Sequence, residues 1–125
     1  MNAKFLSILI FSFAICFADS TFAQSQHEMN QEAAEDFEKA DTALNAVYKK
    51  FIKTLDEEGE KKLIAAQRAW IAFRDAQATF EADEARGGSM APLLLHSTKR
   101  ELTEERTKVL QKLLTDSGVS ESEDE

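Results

Sequence analysis

Residues 63–80 read LIAAQRAWIAFRDAQATF. Leu63, Ala66, Trp70, Phe73, Gln77 and Phe80 recur there at steps of three and four, the period of a helix that buries one face. Gln77 is the single polar member of that stripe. Trp70 and Arg74 stand one turn apart, so the guanidinium can lie over or beside the indole and bury its alkyl stem. Two readings follow. Trp70 is a core residue with a satisfied arginine beside it, or the pair is a rigid recognition patch of residue types common at interface hot spots. The first carries more weight because Trp70 lies on the apolar stripe.

The same period extends outward on both sides. Upstream, Phe37, Ala40, Leu44, Val47, Phe51 and Leu55, widened by Tyr48 and Ile52, predict a helix over about Asn30–Leu55. Thr54 and Glu57 have capping-box spacing, Asp56 is a second N-cap candidate, and the central helix is predicted over about Asp56–Ala85. Arg86-Gly87-Gly88-Ser89 then ends it, and Pro92 suits the first turn of a third helix with Ser89 as a possible cap. That helix carries Leu93, Leu94, Leu95, Leu102, Val109, Leu110, Leu113 and Leu114. Thr103 ahead of Glu104 and Glu105 marks a possible break within it. No strand pattern or internal repeat interrupts the series. The fold class expected is all-α, a bundle of three helices with the first two long and antiparallel across a short connection. Asp41, Asn45 and Gln67 then become available as polar partners near the Trp70 and Arg74 face.

The two ends read differently. Lys4 precedes an uncharged run of 13 residues, Phe5–Phe17, shorter than the roughly 20 apolar residues that span a bilayer. With small residues at Thr21 and Ala23, residues 1–23 read as a secretory signal cut between Ala23 and Gln24, leaving no membrane span. Ile15 ahead of Cys16 argues against lipidation. Residues 24–114 form the domain. Residues 115–125, TDSGVSESEDE, hold five acids and one hydrophobic residue, and read as a disordered acidic tail. The signal takes five of the nine Phe and the only Cys, so a periplasmic or secreted chain would be stabilised by packing without disulfides. Its net charge stays at −8, which argues against nucleic acid and favours a basic partner.

Little in the chain supports catalysis. His27 and His96 are the only histidines, and HExxH, GxSxG and glycine-rich phosphate motifs are missing. Asp56, Glu57, Glu58 and Glu60 read as an acidic first helical turn favoured by the helix dipole. Neither a cofactor nor a metal is expected, and an enzyme is the weakest class.

Ala40-Asp41, Leu44-Asn45 and Tyr48 come first, then Ala66-Gln67-Arg68-Ala69-Trp70 with Arg74-Asp75 and Phe80. Gly87-Gly88-Ser89, Leu102-Thr103, Arg106 and Leu110 complete the series. This ordered set resembles the exported domain typified by the N-terminal part of the lysozyme inhibitor LprI, over nearly all of Met29–Leu114. The resemblance implies a helical, exported, non-catalytic protein that inhibits lysozyme. It transfers no inhibitory motif, and the matched positions read as structural. Family members often carry cysteines near the positions of Glu32, Ala78 and Thr98, so a disulfide-dependent binding geometry is not open to this chain. Glu81, Asp83 and Glu84, beside the Gly87-Gly88-Ser89 turn, are the candidate partner-binding residues, because an acidic segment next to a glycine turn fits a concave, basic cleft. The alternative is an envelope interaction or stress protein that holds its partner through an apolar groove at Leu93, Leu94 and Leu95.

Overall fold

The computed structural model describes the backbone of residues 4–118 and the side chains of residues 22–118. Helix α1 spans Lys4–Ile52, α2 spans Glu57–Ala82 with a 3₁₀ turn at Asp83–Ala85, and α3 spans Ala91–Asp116. The described residues contain no strand. The chain is an all-α bundle of three helices. Among the described residues no helix is long and apolar enough to cross a membrane. Most of the acidic tail, residues 119–125, lies outside the described residues; Thr115 and Asp116 belong to α3.

Helix α1 starts well before Asn30. Neither Gly nor Pro occurs before Gly59, so nothing local stops the helix upstream, and it runs unbroken through Ala23 and Gln24. It ends where Thr54 Oγ1 and the Thr54 amide both donate to the Phe51 carbonyl, at 2.7 and 3.0 Å. Thr54 is therefore a helix-ending residue and not the cap of α2. Asp56 is the cap: its carboxylate accepts from the Gly59 amide at 2.8 Å. Ser89 likewise does not cap α3, whose N-cap is Met90 without a side-chain bond; Pro92 fills the first turn as expected. Gly87 at φ +75° makes the sharp turn between α2 and α3, and Gly118 at φ +77° ends α3, both left-handed conformations that favour glycine. Thr103 breaks nothing. It is fully buried inside a continuous α3.

The helices run up, down and up. Asn30 reaches Ser89 and Phe37 meets His96 and Lys99, so α1 and α3 are parallel. Gln67 pairs with Arg106 and Glu81 with Thr98, so α2 and α3 are antiparallel. The most extensive backbone contacts are between α1 and α3 and then between α2 and α3. Helix α3 is thus the one both others lean on. The apolar core sits near the α1–α2 connection: Leu44, Phe51, Leu63 and Leu110, with Val47, Tyr48, Ile52, Leu55, Trp70 and Leu114 packed around them.

The predicted stripe of α2 is displaced. Leu63 and Trp70 do face inward, but the buried positions beyond them are Gln67, Arg74, Ala78 and Ala82, each one or two residues after the Ala66, Phe73, Gln77 and Phe80 expected there. Phe73 is 54% exposed and Phe80 75% exposed. Small residues explain the displacement. Ala78 and Ala82 let the α3 backbone come close, and a phenylalanine on that line would force the helices apart. Leu110, fully buried, anchors α3. Leu110→Ala is expected to cost about 2–5 kcal/mol, whereas Val109→Ala, at an exposed position, changes stability by less than about 1 kcal/mol. Urea unfolding followed by circular dichroism separates the two.

Candidate functional site

Above the apolar core the bundle interior turns polar, and Arg74 is its centre. Its side chain is 8% exposed. One guanidinium nitrogen donates to Asp41 Oδ1 at 3.0 Å and Nε donates to Asp75 Oδ1 at 2.9 Å. The guanidinium carbon stands 5.0 Å from the Phe37 ring centroid and 5.3 Å from that of Trp70. Asn45 in turn donates to the second Asp41 oxygen at 3.1 Å. Lys99 of α3 completes the group, 3.3 Å from Asp75 and 5.5 Å from the Phe37 centroid. Two cations thus face two carboxylates across three helices, with aromatic faces closing the gap.

A second layer lies beside it. Arg106 Nε donates to the Gln67 carbonyl oxygen at 3.1 Å, and the guanidinium lies 5.8 Å from the Trp70 centroid. Gln67 therefore serves Arg106 and not Arg74. Among the described residues Arg106 meets no carboxylate in an ion pair, and burial lowers its pKa from the usual arginine range. Burial is also the largest single influence on Asp75, where it raises the carboxyl pKa. The bond and charge of Arg74, with Lys99 behind them, outweigh it and hold Asp75 below its ordinary value. Among the described residues, His96 Nδ1, Arg100 Nε and Thr103 Oγ1 are buried atoms without a hydrogen-bond partner. Leu44, Tyr48 and Leu102 are buried or half-buried on the same inner faces.

The candidate partner-binding residues stand at the other end of α2. Glu81, Asp83 and Glu84 line one groove together with Phe80, Leu94 and Thr98. Each carboxylate is held differently. Glu81 accepts from Gln77 and from Thr98 at 2.8 and 2.7 Å, and these neutral donors keep it ionised, with its pKa below the ordinary value. Asp83 is gripped by Arg86 through two bonds, which also lowers its pKa and offsets its charge. The Gly87-Gly88-Ser89 turn points elsewhere: the Ser89 carbonyl accepts from Asn30 at 2.9 Å, and Asn30 accepts from the buried Gln26 at 3.0 Å. The turn thus ties α3 to α1 and is not part of the groove. Leu93, Leu94 and Leu95 are each half-buried, and Leu94 lines the groove beside Phe80. Among the described residues no cluster of His, Cys, Asp and Glu has the arrangement of a metal site.

Much of the ordered set from Asp41 to Leu110 thus packs across three helices, and the profile of the lysozyme inhibitor LprI family matches residues 16–110. The chain belongs to the lysozyme inhibitor LprI family. An uncharacterized protein from Rhizobium meliloti (strain 1021) is 37% identical over 109 residues, covering 77% of this chain and 78% of that one. No solved structure matches. In this LprI-family chain the motif residues Asp41, Trp70, Arg74 and Asp75 hold the bundle together, while the exposed Phe80 does not.

Three changes test the network. Arg74→Met keeps the packed stem but strips Asp41 and Asp75 of their partner, an expected loss of about 1.5–3 kcal/mol that Arg74→Lys does not recover, since an ammonium lacks the planar fork. Thr103→Val removes a buried hydroxyl without a partner and is expected to raise stability by about 1 kcal/mol. Asp75 has a lowered folded-state pKa, so its stabilisation is present above its ordinary value of 3.8 and is lost as pH falls through the folded value. Asp75→Asn should therefore flatten the acid limb of a stability-versus-pH curve measured by urea unfolding.

Proposed function

We propose that this protein is exported, is cut between Ala23 and Gln24, and inhibits lysozyme without catalysis by binding the basic enzyme through its acidic α2 end. The observation carrying this reading is the gathering of Glu81, Asp83 and Glu84 around one groove in a member of the lysozyme inhibitor family. The net charge of −8 adds long-range attraction, which raises the association rate more than the final affinity. The cut is supported by burial: Phe22–Ser25 are exposed and Gln26 is the first buried residue among the described side chains. Processing at Ala23 therefore leaves the Gln26–Asn30–Ser89 connection intact.

Inhibition is tested by titrating the purified protein into a lysozyme lysis assay at low and physiological salt, beside an unrelated acidic protein of similar charge. Saturable, near-stoichiometric inhibition that survives physiological salt and is missing from the control is expected. Combined Asp83→Lys and Glu84→Lys should lower the association rate about tenfold at low salt, and an unchanged inhibition constant would remove these carboxylates from the interface. The mass of the protein recovered from the periplasm or medium of an expressing bacterium reads the cut directly.

A further inference from the structure

The displaced stripe of α2 leaves a second face unexplained. Phe73 and Phe80 are seven residues apart, so they stand nearly in line along the helix, and Ala66, Ala69 and Ala76 fill the same line between and before them. All five residues are exposed. They make a strip about 21 Å long, turned away from the buried line through Gln67, Arg74 and Ala78 that meets the rest of the bundle. Bulky rings set on an alanine floor leave shallow recesses into which a partner's side chains can fit. Phe80 also lines the groove that holds Glu81, Asp83 and Glu84, so the apolar strip and the carboxylates are continuous.

The geometry points to this strip as the affinity-determining half of the lysozyme-binding surface, with Phe80 and Phe73 as its anchors and the carboxylates as its steering charges. The inference rests on the inhibitor reading above and assigns the binding energy within it. Exposed carboxylates alone make a weak grip at physiological salt, where the Debye length is about 8 Å and surface ion pairs contribute little. Aromatic anchors that become fully desolvated supply most of the affinity in protein interfaces. The occupant is chosen by charge: Glu81 and Glu84 at one end of the strip, beside an Asp83 partly offset by Arg86, complement a strongly basic enzyme and oppose a second copy that would bring the same acidic ends near one another in parallel register.

The test measures association and dissociation rates of lysozyme on the purified protein at low and physiological salt. Phe80→Ala and Phe73→Ala are expected to raise the dissociation rate tenfold or more at both salts with little change in association. Ala76→Gln, which builds bulk on the floor at an exposed site, should do the same while circular dichroism shows the fold retained. The Asp83→Lys and Glu84→Lys pair should act mainly on association, and mainly at low salt. Wild-type binding with dissociation unchanged in all three strip variants overturns the inference and leaves the inhibitor reading standing. No wild-type binding to lysozyme overturns both. A wild-type dimer in sedimentation that Phe80→Ala dissolves, and that competes with lysozyme for none of its sites, assigns the strip to a second copy and overturns the inference as well.

Discussion

A guanidinium buried among three helices sets the terms for everything around it. A cation placed there needs opposite charge and polarisable surface around it, and the bundle supplies both. Asp41 supplies charge from α1, Asp75 from the next residue, and Phe37 and Trp70 supply ring faces. Lys99 then balances the second carboxylate from α3. Each helix contributes to the arrangement, and each is fixed in rotation by its contribution. An apolar core of four principal side chains tolerates small rotations; a two-sided guanidinium contact does not. The polar half of the interior therefore supplies register while the apolar half near the α1–α2 connection supplies cohesion.

That division also explains which parts of the fold were legible in the sequence. The helical period, the order of the elements, the Asp56 cap and the glycine turn at Gly87 all depend on local rules, and they could be read from neighbouring residues. The facing of α2 could not. Counting hydrophobic residues favoured Phe73 and Phe80 over Gln67 and Arg74, because the period cannot reveal that an arginine will find Asp41, 33 positions away. Trp70 lies on both candidate lines, which made the wrong one plausible. Thr103 misled for a related reason: set ahead of Glu104 and Glu105 it reads as a break and restart, yet its small size is what fits between closely approaching helices.

The candidate binding surface was legible in part. Glu81, Asp83 and Glu84 were visible as an acidic run, and the structure gathers them around one groove. Phe80 was visible only as a core residue. Its true position followed from the one-residue displacement, so the burial of Arg74 and the exposure of the phenylalanines are a single structural fact. Lys99 and Thr98 carried no local signal at all, since their roles come from contacts with residues far away in the chain.

The parallel pairing of α1 with α3 has a kinetic side. Asn30 with Ser89 and Phe37 with His96 each join residues about 60 positions apart, while the adjacent α1 and α2 backbones approach each other least. A helical protein usually folds quickly because its contacts are local. Here the early contacts are few: a chain emerging N-terminus first can join α1 to α2 through Asp41 with Arg74 and through the Leu44, Phe51 and Leu63 side of the core, but Leu110 and the contacts of α3 are missing until the last quarter of the sequence arrives. Loop closure over such a span adds its entropy to the folding barrier. Closure of the bundle therefore waits for α3, and a single long-range docking step sets the folding rate of a chain whose secondary structure is entirely local.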